Sequence, residues 1–160
     1  MSKRTPYTCR QLTSGETDRL KDLLAVFAGA FADDIGNLRA LPGDAYLAQL
    51  LAKEHIITVV AERAGEVVGG LSAYILDKFE RDRREVYIYD LAVAEAHRRQ
   101  GIAKALIEAL RDIAAAHNID SLFVQAHEDD APAIALYESF GSKTTAHHFD
   151  IAVRRTEPAR

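Results

Sequence analysis

The sequence lacks most of what staples, anchors or exports a chain. It holds one cysteine, Cys9, so no intramolecular disulfide can form. A free cysteine usually behaves as a small buried hydrophobe, and Cys9 is expected to do so rather than act as a nucleophile. The start, "MSKRTPYTCRQL", has no apolar stretch after its basic residues, which argues against a secretory signal. The longest apolar runs fall far short of the roughly 20 residues that a membrane helix needs. The expectation is a cytoplasmic chain with no membrane partner. An excess of positive charge is missing too. Lys and Arg number 20 against 24 Asp and Glu, a formal net charge of −4. That excludes a general attraction to nucleic acid and favours cationic partners where the acids cluster. His97, His127, His147 and His148 show no H-x-x-x-H spacing and no Cys/His set, so no metal is expected. There is no Walker A loop, no G-x-G-x-x-G, no internal repeat and no linker.

What is present suits one domain over residues 1–160. Apolar residues make up 48% and charged residues 28%, enough to bury a core unaided. "YTCRQL" (Tyr7 to Leu12) reads as a short strand. "ETDRLKDLLAVFAGAF" spaces Leu20, Leu23, Leu24 and Phe27 as a helix, with Gly29 a weak point. "DDIGNLRALPGDA" reads as a loop rich in helix breakers. A second helix, "GDAYLAQLLAKE", has Asp44 as its expected N-cap and Tyr46, Leu47, Leu50 and Leu51 facing inward. The period then changes: "HIITVVAER" and "EVVGGLSAYIL", split by "AG", read as a hairpin, and "EVYIYDLAV" (Glu85 to Val93) as a further strand. "IAKALIEALRDIAAAHN" is strongly amphipathic, with Ile102, Leu106, Leu110 and Ile113 as its stripe. "SLFVQA" is a strand, "APAIALYESFG" a helix closed by Gly141, and "HHFDIAV" carries one or two final strands. The fold class is therefore α+β (mixed α/β), with helices on the faces of a sheet and a parallel crossover between the strands at Val86 and Leu122.

"HRRQGIAKALIEAL" (His97 to Leu110) puts basic residues and a glycine directly before a helix. The first N–H groups of a helix have no internal partner, and the dipole adds partial positive charge there. Gly101 permits close backbone approach, and Arg98 and Arg99 add full charges, a combination suited to phosphate or pyrophosphate. Taken alone, the pair of arginines is equally compatible with a solvated helix start.

Arg98, Arg99, Gln100, Gly101, Ile102 and Ala103 also fit R/Q-x-x-G-x-G/A, preceded by the strand end "LAV". With that pattern the sequence resembles the GNAT superfamily of acetyl-CoA-dependent N-acetyltransferases. "APAIALYESFG" looks like that family's A-x-x-L-Y-x-x-x-G, with Ala133, Leu136, Tyr137 and Gly141 in place. The resemblance implies a central mixed, mostly antiparallel sheet, splayed between the strands around "LAV" and "FVQA". It implies acetyl-CoA (coenzyme A) as cofactor, its pyrophosphate on Arg98 to Ala103 and its pantetheine arm along Leu91, Ala92 and Val93. More narrowly, "VYIYDLAVAEAHRRQGIAKALI", "FVQA", "HFDI" and "AYILDKFE" resemble the type I aminoglycoside 3-N-acetyltransferases, the gentamicin and fortimicin group. That implies a polycationic small-molecule substrate, and small members of the superfamily often form homodimers.

Acetyl transfer from a thioester to an amine needs a held donor, a neutral amine, a polarised carbonyl and a proton for the departing thiolate. The resemblance gives the last task to Tyr137, which by itself reads as a half-buried core aromatic. A polyamine acceptor calls for carboxylates that attract it and take its proton. Candidates are Glu85 and Asp90 on the central strand, Glu128, Asp129 and Asp130 after the next, and Asp150 near the end. Asp90 stands out in the aromatic and apolar run "YIYDLAV", because burying a carboxylate unpaired is costly; a structural acceptor at a strand bulge is the other reading. Asp130 equally suits a plain N-cap for the helix at Ala131. Tyr87 and Tyr89 suit either a cleft wall or the core. Where many GNAT members place a glutamate base on the central strand, this chain offers Tyr87, so the base moves to Asp90 acting with water. "ADDIGNLRALPGDAY" carries no readable substrate pattern. Two other functions stay open: a GNAT enzyme for another cationic amine (a polyamine, or a protein N-terminus or lysine), and a CoA-binding module without catalysis.

Overall fold

Two β-branched runs either side of Ala64-Gly65 form a hairpin because both turn residues take positive φ, 51° and 83°, the handedness that matches strand twist. The structure, a computed structural model, describes residues 6–31 and 41–154. The hairpin strands are β2 (Ile56–Arg63) and β3 (Glu66–Asp77). Around them come β1 (Tyr7–Gln11), α1 (Thr17–Ala30), α2 (Asp44–Leu51), β4 (Arg84–Val93), α3 (Ile102–Ala116), β5 (Ser121–Val124) and α4 (Ala131–Glu138). A 3-10 turn, Glu95–His97, joins β4 to α3. The chain divides into two compact units, one running to Gln125 and one from Ala126.

In the first unit the sheet order is β1-β2-β3-β4-β5. Neighbours are antiparallel except β4 and β5, which are parallel across the α3 crossover. This is the mixed, mostly antiparallel α+β sheet read from the sequence. Successive β2 residues Val59, Val60 and Ala61 are all buried, and since neighbours on a strand point to opposite faces, both faces are covered. Leu20, Leu23 and Phe27 of α1 and Leu47 of α2 cluster with Leu12, Val60 and Ala92. Ile102, Leu106, Ile107, Leu110 and Ala114 are the buried side of α3. Ala114 rather than the expected Ile113 completes its stripe, because i+4 steps from Ile102 run through 106 and 110 to 114.

Three local expectations need correction. Gly43, not Asp44, is the residue capping α2; the Asp44 carboxylate instead lies 2.6 Å from Lys21 Nζ. Tyr46 is 54% exposed, since the single helix face toward the core is taken by Leu47. The strands expected through "HHFDIAV" are absent, and residues 142–154 carry no regular structure. Phe149, Ile151 and Val153 do alternate with strand period and are exposed, but a strand exists only through a paired neighbour. Of the loop expected over residues 33–45, residues 33–40 lie outside the described residues, and α2 begins within its last residues at Asp44. None of the described helices is long and apolar enough to cross a membrane.

Gly70 records how tightly α1 lies on the sheet. A Cβ there would sit 2.6 Å from the Val59 carbonyl oxygen and against Leu23 Cδ1. Gly70→Ala is expected to destabilise by about 2 kcal/mol, the usual scale of overpacking. That lowers Tm by about 6 °C for a chain of this size, measurable by thermal unfolding; an unchanged Tm would mean that α1 shifts freely.

Candidate active site

The site is built on an irregularity in β4. Ser72 of β3 lies opposite Asp90, but the next residue, Ala73, lies opposite Ile88, so Tyr89 is the extra residue of a bulge. Bulges interrupt the ladder and re-aim side chains. Here the result is a half-buried Asp90 whose Oδ2 accepts a hydrogen bond from Ser72 Oγ at 2.5 Å. Asp90 has no Lys or Arg partner among the described residues, so none of their cations neutralises its charge. Both readings of Asp90 thus meet at one place: it does sit at a bulge, yet it accepts from a side chain.

Aromatic rings frame that carboxylate. The Tyr89 ring lies 5.7 Å from Tyr74 and 5.7 Å from Tyr87, edge-on to both. Tyr87 in turn stacks on Phe123 of β5 at 4.7 Å. Its hydroxyl donates to Gln125 Oε1 at 3.0 Å. Burial pushes the Tyr74 phenol up, and the Asp90 charge and its tyrosine neighbours add to this. The Tyr87 phenol is raised by burial too, with Tyr89 and Asp90 contributing. Both phenols therefore lie in the field of the Asp90 carboxylate and stay protonated at neutral pH. Tyr89 is 63% exposed and Phe123 40% exposed, so part of this surface faces solvent. A carboxylate among aromatic faces is a receptor for ammonium groups and the apolar faces of sugars.

The same end of β4, with the loop beyond it, suits a phosphorylated, amide-bearing ligand. Pairing of β4 with β5 covers Glu85 to Ile88 and stops there, so the edge from Tyr89 to Val93 has no β5 partner. The chain then turns through Arg99 (φ 58°) and Gly101 (φ 80°) into α3. A non-glycine residue in that left-handed region costs about 1 kcal/mol, a local strain held by the loop's other contacts. No side chain caps α3, and its first turn has no acid, so the N–H groups at its start remain available for an anion. Arg98 and Arg99 are exposed beside them, with Arg98 Nε donating to the Val93 carbonyl at 3.0 Å. The Gln100 side chain is engaged internally, donating from Nε2 to Ala96 O at 3.3 Å and accepting from Arg63 at Oε1. Only its backbone is free to serve a ligand. These residues fit the pyrophosphate and pantetheine of acetyl-CoA.

The remaining acids are dispersed. Glu85 faces Lys78 Nζ at 3.5 Å and Arg83 Nη2 at 3.8 Å, so its charge is met by cations of the β3–β4 turn. In the second unit Glu128 and Asp129 are exposed. Asp130 Oδ1 accepts from the Ala133 N–H at 3.1 Å, which is the N-cap reading. Asp150 is exposed beside His148. Tyr137, on α4, is half-buried; burial pushes its phenol up from the ordinary value of 10.0, and the Asp130 charge adds to this. Burial also raises the Cys9 thiol, which disfavours a nucleophilic thiolate. Among the described residues no three His, Cys, Asp or Glu side chains are grouped to hold a metal.

The acetyltransferase (GNAT) family pattern matches residues 23–141, most of the chain. The chain belongs to the GNAT family of acetyltransferases. Similarity extends to solved structures. An aminoglycoside acetyltransferase from an uncultured soil metagenomic sample is 46% identical with a TM-score of 0.89, over 93% of this chain and 99% of that one. A second soil metagenomic aminoglycoside acetyltransferase, solved with sisomicin, is 27% identical with a TM-score of 0.85, over 92% and 97%. Curated relatives include N-acetyltransferase family 8 member 2 of Rattus norvegicus, 31% identical over 60% of this chain and 42% of its own length. Human N-acetyltransferase 8 is 33% identical over 56% and 40%. The chain thus spans well under half the length of those curated relatives.

Within this acetyltransferase, Ser72, Tyr74 and Arg63 were invisible to sequence reasoning. Each contacts a partner on another strand or loop, and no local spacing announces such a pairing.

Proposed function

We propose that this acetyltransferase transfers the acetyl group of acetyl-CoA to an amine of an aminoglycoside, at the 3-N position by its resemblance to the gentamicin and fortimicin group. Residues 1–160 act as one catalytic domain, and transfer is direct within a ternary complex. The observation that carries the reading is Asp90: an uncompensated carboxylate at a strand bulge, framed by Tyr74, Tyr87 and Tyr89. A polycationic sugar supplies the ammonium groups and ring faces that such a surface attracts. The aminoglycoside acetyltransferases among the similar structures support the same substrate class.

When bound, acetyl-CoA supplies the activated acyl group. Arg98 to Ala103 and the start of α3 hold the phosphates, and the unpaired edge at Leu91 to Val93 offers backbone groups to the pantetheine arm and the thioester oxygen. Asp90 draws the substrate ammonium in and takes its proton, directly or through water, so that a neutral amine attacks. As the C–N bond forms and the C–S bond breaks, Tyr137 gives its phenolic proton to the leaving sulfur, and the second proton lost by the amine nitrogen restores the phenol through water. Glu128, Asp129, Asp130 and Asp150 add negative potential that favours a polycation. The exposed, strand-period Phe149, Ile151 and Val153 support the homodimer that the resemblance implies, and the protein works in the cytoplasm.

The test is thiol release from acetyl-CoA against gentamicin, fortimicin, kanamycin, spermidine and a lysine-containing peptide. Saturable turnover on gentamicin or fortimicin and none on the peptide is expected. Turnover confined to spermidine or the peptide would move the chain to another cationic acceptor. Coenzyme A binding with no amine acetylated would leave a cofactor grip without chemistry.

A further inference from the structure

Arg63 ends β2 in an unusual setting. Its Nη1 lies 2.8 Å from Gln100 Oε1 and 3.1 Å from His97 Nδ1. A guanidinium can only donate, so His97 Nδ1 accepts and the ring carries its proton on Nε2. The guanidinium carbon lies 5.6 Å from the centre of the Tyr7 ring, directly across the β1–β2 ladder. The Tyr7 hydroxyl is also the atom that a Cβ on Gly101 would meet, at 3.5 Å. Four residues from β1, β2, the 3-10 turn and the α3 loop therefore converge behind the segment that runs from Ala94 to Gly101.

Two features set this arginine apart from a surface cation. Its Nε is buried and has no hydrogen-bond partner. Among the described residues no carboxylate pairs with it, whereas Arg10 and Arg19 each have two and Arg83 has Glu85. A partly buried, uncompensated guanidinium is costly unless an anion lies nearby. The segment it holds carries a strained residue, Arg99, and the N–H groups that suit phosphate.

We propose that Arg63 is a positioning residue for the donor: through His97 and Gln100 it holds the loop at Arg98–Gly101 in its phosphate-receiving shape, and a bound pyrophosphate answers its unmatched charge. This rests on the reading that the loop takes the pyrophosphate of acetyl-CoA. Arg63 need not touch the ligand. One nitrogen, Nη1, donates to two acceptors of the loop from a rigid strand, 34 and 37 residues away in sequence.

The test compares the wild-type protein with Arg63→Gln and Arg63→Lys. Calorimetric titration with coenzyme A should show affinity about tenfold weaker in Arg63→Gln, the scale of losing hydrogen bonds to a charged group. With acetyl-CoA, KM should rise by the same factor while kcat changes little. S-acetylpantetheine, which lacks the pyrophosphate and nucleotide, should be used equally by wild type and variant. Arg63→Lys keeps the charge but loses the reach of Nη1 to both acceptors and the contact with the Tyr7 ring, and should recover only part of the affinity. Unchanged coenzyme A affinity in Arg63→Gln, full recovery in Arg63→Lys, or an equal loss with both donors would each overturn the proposal. Wild-type protein that binds no coenzyme A would overturn the phosphate-loop reading and this proposal with it.

Discussion

Asp90→Asn should cost about a hundredfold or more in kcat on gentamicin, at the lower end of what a positioned general base contributes. The amide is close in shape to the carboxylate and still offers an oxygen to Ser72 Oγ, so the bulge and the ring contacts around it should survive. Charge and basicity are lost. An ammonium group then meets no anion at the bulge, and the attacking amine has no acceptor for its proton. Coenzyme A affinity should stay within about twofold, because the loop proposed to take its phosphates lies beyond the end of β4 and the Asp90 carboxylate bonds Ser72 rather than that loop. Thiol release and calorimetry on the same preparation separate the two effects. Full turnover in Asp90→Asn would remove this carboxylate from the mechanism and leave it a structural acceptor for Ser72.

How much of this was legible follows from how far apart the interacting residues lie in sequence. The helices and strands announce themselves through local periodicity, and the loop at Arg98 through basic residues and a glycine before a helix. Asp90 was legible as an oddity, one carboxylate in an aromatic run. The bulge that gives it meaning was not, because a bulge is a relation between two strands: it appears only when Ser72 pairs with Asp90 and Ala73 with Ile88. Tyr74 is brought to the site by the same pairing. The error at "HHFDIAV" has the converse cause. Alternation at Phe149, Ile151 and Val153 records a β-compatible pattern, and the pattern is silent on whether an edge is present to receive it. Asp44 shows the same limit on a smaller scale: its residue type suits a cap, but Gly43 holds that position and the Asp44 carboxylate goes to Lys21 of another helix.

Tyr137→Phe should lower kcat by about a hundredfold, again the scale of one acid–base participant, with KM for acetyl-CoA little changed. The ring remains to fill its half-buried place on α4, so only the phenolic proton is lost. The pH profile gives a sharper reading than the rate alone. Burial, with the Asp130 charge behind it, pushes this phenol above the ordinary tyrosine value of 10.0. A raised pKa favours the protonated form, so the acid is fully present through the neutral and mildly alkaline range. It is lost only as pH rises through the elevated value. Wild-type kcat should therefore hold to a higher pH than an ordinary tyrosine would allow, and the phenylalanine variant should lack that alkaline limb. A rate unaltered by Tyr137→Phe would return Tyr137 to a packing role and leave protonation of the thiolate to solvent. A lowered rate with an unchanged alkaline limb would assign that limb to another group and the loss to misplacement of α4.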